Sequence, residues 1–412
     1  MKRKCTWLIL ITLTLSYGIY SISFAGEAED YTFAYKLYEE GVYTVAKSEF
    51  QKFLVNYPNS DRADDARYLM GVCAFWEGKY NEAIQHYEQL INDYPSSPLR
   101  LDAVHGVADA WYELGRFEEA TKAYEEFIKK TNESELISAS LYKIGESYYN
   151  LGKYSRARSY YERLLREYPL AKEARLALYS KGWSSYRLNE YQRAYNDFSK
   201  LLRDYPESPE TPEASYRAAE CLLGLKNWDK AANAYKHVIE KYSGDDKHQQ
   251  IVADSRYRLG ECYFQMGKLE EAKNEFDKML HDYAIPDIAA RAQYWVAEVL
   301  LSQKKYPEAI HEHKKVINLY PTSDMVDDAH YSIARAYFEQ ENYVQAAKEY
   351  RLVAEDRKSE YADAARFFLG ECLRLQREYN SAILNYNKVE SKSNYADDAL
   401  YGKGASYFYL RD

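Results

Sequence analysis

The sequence predicts an all-α chain of repeated antiparallel helix pairs, and three observations predict it. An alanine returns at Ala46, Ala83, Ala120, Ala157, Ala194, Ala231, Ala272, Ala309, Ala346 and Ala382, at steps of 37 residues broken by one step of 41 and one of 36. On both sides of a short turn, apolar residues recur at i, i+3, i+4 and i+7, the period of a helix with one buried face. No run shows the sustained alternation of a half-buried strand. A length of 412 residues would ordinarily suggest two or three domains. A repeat of this period predicts a stack instead, in which each copy contacts only its neighbours.

Composition agrees. Aromatic residues make up 16%, and disordered chains lack such core builders. Seventeen Gly and ten Pro exclude collagen-like and Pro-rich low-complexity chains. The net charge of −9 argues against a nucleic-acid partner, which needs basic surface. The extreme value is 45 Tyr, and the repeat has to explain it.

The first element is for targeting. Lys2, Arg3 and Lys4 precede an apolar run from Trp7 to Leu15 that continues weakly to Phe24. Ser23-Phe24-Ala25 then offers a small-x-small exit, so residues 1–25 read as a cleavable secretory signal peptide. An uncleaved anchor is the alternative, since Trp7 to Phe24 is about long enough to span a bilayer. Interspersed Thr, Ser and Gly favour cleavage, and no integral span is expected after it.

The repeats follow at 27–63, 64–100, 101–137, 138–174, 175–211, 212–252, 253–289, 290–326, 327–362 and 363–396, with a partial copy at 397–412. In each, the turn between the helices often carries Gly, as at Gly41, Gly78, Gly115, Gly152 and Gly267, where a helix end favours a left-handed residue. The second helix commonly ends at Tyr-Pro, as at Pro58, Pro95, Pro169, Pro206 and Pro321, because the residue before proline is pushed out of helical space. Small residues (Gly71, Gly145, Gly182, Gly260, Gly370 among them) stand where paired helices approach closely. The 41-residue step contains Ser243 to Gln250 and predicts a longer loop or an extra helical turn. Tyr395 to Leu410 reads as a first helix with no second helix after it. The expectation is that a longer natural protein continues, or that a partner covers this end.

Gly71, Ala74, Gly78, Tyr80, Ala83, Tyr87 and Pro95 resemble the aromatic, glycine and alanine positions of the tetratricopeptide repeat (TPR) family over residues 27–412. The resemblance implies a superhelical solenoid of antiparallel helix pairs that binds partners along a concave face lined by first helices. The repeat is longer than the family's usual one. Tyr57-Pro58-Asn59-Ser60, Tyr94-Pro95-Ser96-Ser97 and Tyr320-Pro321-Thr322-Ser323 are similar to a long-repeat subgroup. That subgroup includes the outer-membrane-assembly lipoprotein of the BAM complex and the Tol–Pal-associated periplasmic TPR protein. This chain lacks the lipobox of the first and the N-terminal coiled coil of the second.

Catalytic patterns are missing. His311 and His313 stand at i, i+2 and do not share a helix face; His313 falls on a position that is aromatic in most copies. Gly402-Lys403-Gly404 lacks the spacing of a phosphate loop, and Gly404 reads as a close-packing position. The acid pairs Asp64-Asp65, Asp327-Asp328 and Asp397-Asp398 suit the positive end of a helix dipole. No enzyme, metal or cofactor is expected. Cys73, Cys221, Cys262 and Cys372 share one small-residue position of the repeat, which predicts packed free thiols rather than disulfides.

The tyrosines carry the functional expectation. One first-helix position holds Tyr31, Tyr68, His105, Tyr142, Tyr179, Tyr216, Tyr257, Tyr294, Tyr331, Phe367 and Tyr401. Seven residues on stand Tyr38, Phe75, Tyr112, Tyr149, Tyr186, Phe264 and Phe338 among others. Between them lie Asp109, Glu146, Glu220, Glu261, Glu298 and Glu371. With the family geometry these make an aromatic, acidic groove, centred on Tyr68, Tyr142, Tyr179, Tyr216, Tyr257, Tyr294 and Tyr331 with Glu146, Glu220, Glu261 and Glu298. The alternative is that the rings only pack the solenoid. The Lys, Asn and Arg set with which some TPR domains grip a C-terminal carboxylate is missing. The function expected is a non-enzymatic periplasmic scaffold for protein partners of basic and apolar character, in outer-membrane assembly or Tol–Pal cell division by family analogy. A second reading is a glycan-binding or export accessory protein whose rings stack on peptidoglycan or another polysaccharide.

Overall fold

A computed structural model describes residues 26–283, 286–356 and 359–411. The expected signal segment, residues 1–25, lies outside the described residues. The chain divides into two compact units at Leu151/Gly152.

The first unit contains α1 (Glu27–Glu39), α2 (Tyr43–Asn56), α3 (Ala63–Trp76), α4 (Tyr80–Asp93), α5 (Arg100–Glu113), α6 (Phe117–Phe127) and α7 (Ser134–Asn150). The second contains α8 (Tyr154–Glu167), α9 (Ala174–Arg187), α10 (Tyr191–Asp204), α11 (Thr211–Gly224), α12 (Trp228–Tyr242), α13 (Gln249–Gln265), α14 (Leu269–Asp282), α15 (Pro286–Ser302), α16 (Tyr306–Leu319), α17 (Met325–Glu339), α18 (Tyr343–Glu355), α19 (Ala362–Leu375), α20 (Tyr379–Tyr386) and α21 (Ala396–Tyr409). No strand occurs among the described residues. Within each unit every helix packs on the next, and successive first helices also touch, as α1 with α3 and α13 with α15. The 41-residue step holds a 3-10 turn, Asp246–His248, and a 17-residue α13.

The turn inside each pair closes by the same hydrogen bonds. Gly78 N–H donates to the Phe75 carbonyl and Lys79 N–H to that of Ala74, both at 2.9 Å, which caps α3 in the Schellman manner. The five turn glycines sit at φ from 69° to 75°. The equivalent position in other copies holds Asn189, Lys226, Lys304, Glu341 and Arg377, also left-handed, at φ from 57° to 65°. Those side chains carry strain that glycine avoids.

Pair packing is set by one ring per second helix. Phe50, Tyr124, Tyr161, Phe198, Tyr235, Phe276 and His313 are fully buried at this position. A Cβ on Gly71 would meet the Tyr87 ring at 2.5 Å, one on Gly182 the Phe198 ring at 2.8 Å, and one on Gly370 the Tyr386 ring at 2.5 Å. Tyr87 and Tyr386 are also faced from the following first helix, by Gly106 and Gly402, where an added Cβ would come within 2.7 Å. The expectation for Gly404 is corrected here. The space beside it is open. In the other pairs the ring that fills such a slot comes from the second helix, sixteen residues on, and none stands beside Gly404 among the described residues. Leu400, Tyr401 and Phe408 on α21 are exposed.

The four described cysteines are free and buried, and burial pushes each thiol up to about 12. No helix among the described residues is long and apolar enough to cross a membrane.

Candidate interaction face

The tyrosine ladder is built from the core outward. Six ladder rings on first helices rest on the buried ring of the second helix in their own pair. Tyr68 lies 5.7 Å from Tyr87, Tyr179 6.1 Å from Phe198, Tyr216 5.9 Å from Tyr235, Tyr257 6.0 Å from Phe276, Tyr294 5.1 Å from His313 and Tyr331 5.6 Å from Tyr350. The second column, two turns later, packs instead on the partly buried ring that opens the second helix. Phe75 lies 5.3 Å from Tyr80, Tyr112 5.6 Å from Phe117, Tyr186 5.7 Å from Tyr191 and Phe338 5.4 Å from Tyr343. The ring bodies therefore serve the helix pairs, and what they offer outward is an edge and a hydroxyl. Tyr142, Tyr179, Tyr257, Tyr294 and Tyr331 are partly buried, and Tyr216 is only 6% exposed. Burial pushes the Tyr68 phenol up to about 12 and those of Tyr216, Tyr257 and Tyr294 higher still.

The acids between the columns are engaged within the chain. In the first unit the Tyr124 hydroxyl donates to Asp109. In the second, the Tyr386 hydroxyl donates to Glu371 at 2.5 Å, fifteen residues back. Buried Glu220 accepts from the hydroxyls of Tyr186 (3.2 Å) and Tyr216 (3.1 Å), from Arg217, and lies 3.5 Å from Arg258. Arg258 also donates to Glu261 at 2.8 Å, and Arg217 to Glu213 at 2.7 Å. With Glu220 drawn to this set, the Tyr235 hydroxyl, fully buried, has no hydrogen-bond partner among the described residues.

A second hub is Glu298. Its carboxylate accepts from Ser332 at 2.6 Å, lies 3.3 Å from buried His313 and 3.8 Å from Arg335. Burial alone would raise this carboxyl, but His313, Ser332 and Arg335 together hold it below its ordinary value. Beyond it, Asp328 is pushed up to about 6, by burial first and then by Glu360, Asp324, Asp327 and Glu298. In the first unit, Glu146 is partly buried on α7, the helix that also carries Tyr142.

Arginine and tryptophan are the residues that sequence reasoning missed on this face. Arg217 lies 4.4 Å over the Trp183 ring and 5.0 Å over Tyr216, and Arg258 lies 5.5 Å over Tyr257. Trp295 donates its ring N–H to the Tyr257 hydroxyl at 3.0 Å. Arg217 and Arg258 directly follow ladder tyrosines, and that recurrence was the available signal. The second-unit face is therefore a ring, guanidinium and carboxylate lattice across α9, α11, α13 and α15, rather than a bare acidic groove.

Two tetratricopeptide repeat models match the chain, one at residues 65–97, 139–171 and 254–284, the other at 179–246 and 331–399, together more than half of its length. A model of anaphase-promoting complex, cyclosome, subunit 3 matches residues 287–352. No curated protein matches. Among solved structures, a tetratricopeptide repeat protein from Parabacteroides merdae is 20% identical, with 65% of this chain and 96% of that one covered and a TM-score of 0.42. The C-terminal part of a TPR repeat-containing protein from Cytophaga hutchinsonii is 18% identical, with coverages of 73% and 98% and a TM-score of 0.45. With its alanine-marked helix pairs and left-handed turns matched by both repeat models, the chain belongs to the tetratricopeptide repeat family.

Proposed function

We propose that this chain is an exported, non-enzymatic scaffold of a Gram-negative cell envelope that holds protein partners along its first helices. The observation that carries the reading is the lattice of Trp183, Arg217, Tyr216, Arg258, Tyr257 and Trp295. Tryptophan, tyrosine and arginine dominate binding energy at protein interfaces. Here they project from packed helices and brace one another, so little side-chain freedom is left to lose on association. Because Glu220, Glu261 and Glu298 are already paired, attraction to a basic partner falls to the chain's overall negative charge and would act mainly on encounter rate.

The envelope location rests on the basic start, the apolar run and Ser23-Phe24-Ala25. The link to outer-membrane assembly or Tol–Pal rests on the long repeat and its Tyr-Pro-x-Ser turns. The test places a photo-crosslinking residue at Arg335, which is exposed on α17, and at Leu352, which is exposed on the second helix α18. Cross-linking in envelope extract is expected from Arg335 and not from Leu352. The same purified protein is expected to lack residues 1–25 by intact mass. Equal capture from both positions, or capture of peptidoglycan instead of protein, would overturn the reading.

A further inference from the structure

Trp76 stands out from its repeat. It closes α3, it is 63% exposed, and the first-helix ends of most other copies hold Glu39, Glu113, Asn150, Arg187, Gly224, Gln265, Ser302 and Glu339 at its position; Leu375 and Tyr409, the latter stacked on Tyr379, are the large residues there besides Trp76. The helix pair therefore does not require a large ring there. An exposed indole at a place where neighbouring copies are polar, charged or small is the unusual observation, unlike a scattered surface leucine.

The indole has support on one side. It stacks on Tyr43 of the preceding repeat, centroids 6.5 Å apart and planes within 17°. Beside it Glu77 is fixed by Thr44 and by Lys47 at 2.6 Å, so the end of α3 is held rigidly against α2. Val42 (41% exposed) and Val45 (43% exposed) flank Tyr43 and widen the apolar patch.

Three contacts elsewhere in the chain show what covers such rings. Arg187 lies 4.9 Å over Tyr154, the same 33-residue offset that joins Tyr43 to Trp76. Arg116 lies 3.8 Å over Trp111, and Arg217 lies 4.4 Å over Trp183. Over Trp76 no cation of the chain stands among the described residues. The turn just before Tyr43 carries exposed Glu39 beside Glu40, which Lys36 faces at 3.9 Å, so the Glu39 charge as well as ring chemistry favours a cation.

We propose that Trp76, backed by Tyr43 and flanked by Val42 and Val45, docks an arginine side chain of an extended partner segment that alternates basic and apolar residues. The proposal deepens the scaffold reading and rests on it, but it uses residues of the first unit that the Arg335 experiment does not touch.

The test titrates an acetylated, amidated octapeptide of alternating leucine and arginine into the full chain by calorimetry, with the citrulline version and chitohexaose as comparisons. The arginine peptide is expected to bind and the other two are not. Trp76→Ala is expected to weaken binding about tenfold. Trp76→Arg places at this site the residue that position 187 already carries, so helix content should hold while binding is lost to repulsion. Unchanged affinity in both variants would overturn the proposal. So would no binding to the native chain, or Trp76-dependent binding of the citrulline peptide or chitohexaose. If these fail while Arg335 still cross-links a protein, the scaffold reading stands and only the Trp76 assignment falls.

Discussion

The Tyr294 ring lies 5.1 Å from the imidazole of His313, at the place where other pairs set a tyrosine against a buried phenyl or phenol ring. A histidine fits there because Glu298 lies within ion-pair reach, 3.3 Å from its Nε2, although neither ring nitrogen makes a hydrogen bond among the described residues. The same logic decides what a buried tyrosine hydroxyl is worth in each pair.

Tyr386→Phe removes a hydroxyl bonded to Glu371, and Tyr124→Phe one bonded to Asp109. Each is expected to lower stability by about 1 kcal/mol. Tyr235→Phe removes a buried hydroxyl with no hydrogen-bond partner among the described residues and is expected to be neutral or stabilising. Urea unfolding midpoints of the three variants check the contrast; a loss at Tyr235 as large as at Tyr386 would contradict it.

Lys304→Gly and Glu341→Gly relieve left-handed backbone at φ 60° and 57°. Each is expected to raise stability by up to about 1 kcal/mol, the αL strain less the entropy glycine loses on folding. Gly78→Ala, at φ 73° with open space around it, should cost about the same for conformational reasons alone. Thermal melts of single variants decide the sign.

Two carboxyls give opposite pH responses. Asp328 titrates at about 6 when folded, above its ordinary value, so the folded state binds its proton more readily. Its contribution to stability therefore rises as pH falls from about 6 to about 4 and is least favourable at neutral pH. For Glu77 burial alone would raise the carboxyl, but Lys47, Thr44 and Lys79 outweigh it and hold it at about 2. Its contribution is full above its ordinary value and is lost as pH falls toward 2. Asp328→Asn should stabilise at pH 7 and flatten the profile between pH 4 and 6, and Glu77→Gln should flatten only the acid limb. Denaturant midpoints from about pH 2 to about pH 7 provide the check.

The thiols of Cys73, Cys221, Cys262 and Cys372 are buried and pushed up to about 12, so little thiolate is present near neutrality. Thiol reagents should react slowly with them in the native protein and fully after denaturation. Cross-linked cysteine peptides in a non-reducing digest would contradict the packing reading.

Much of the architecture was legible because it repeats. The marker alanines recur at a step of 37 in all but two intervals and Tyr-Pro stops close five of the second helices, so each confirms the others' register. Left-handed turns at Lys226, Lys304, Glu341 and Arg377 were not legible, since those residues have no intrinsic preference for that conformation and adopt it because the helices on either side require it. The ladder tyrosines were visible as a column, but their ring partners, nineteen residues on in the second helix, were not. The pairing of Glu220 with Arg217 and Arg258 depends on how neighbouring first helices face one another, which no single repeat reveals. Gly404 looked like Gly370, yet its slot has no ring to receive.

Short reach has a consequence for how the molecule comes apart. Tyr386 finds Glu371 15 residues away, and Trp295 finds Tyr257 38 residues away, the widest of the side-chain bonds described. With no strut among the described residues running from one end of a unit to the other, a pull or a protease cut at one helix pair deprives only the adjacent pairs of support. Such a chain can yield under load pair by pair, and it can gain or lose whole pairs over evolutionary time without re-solving its core.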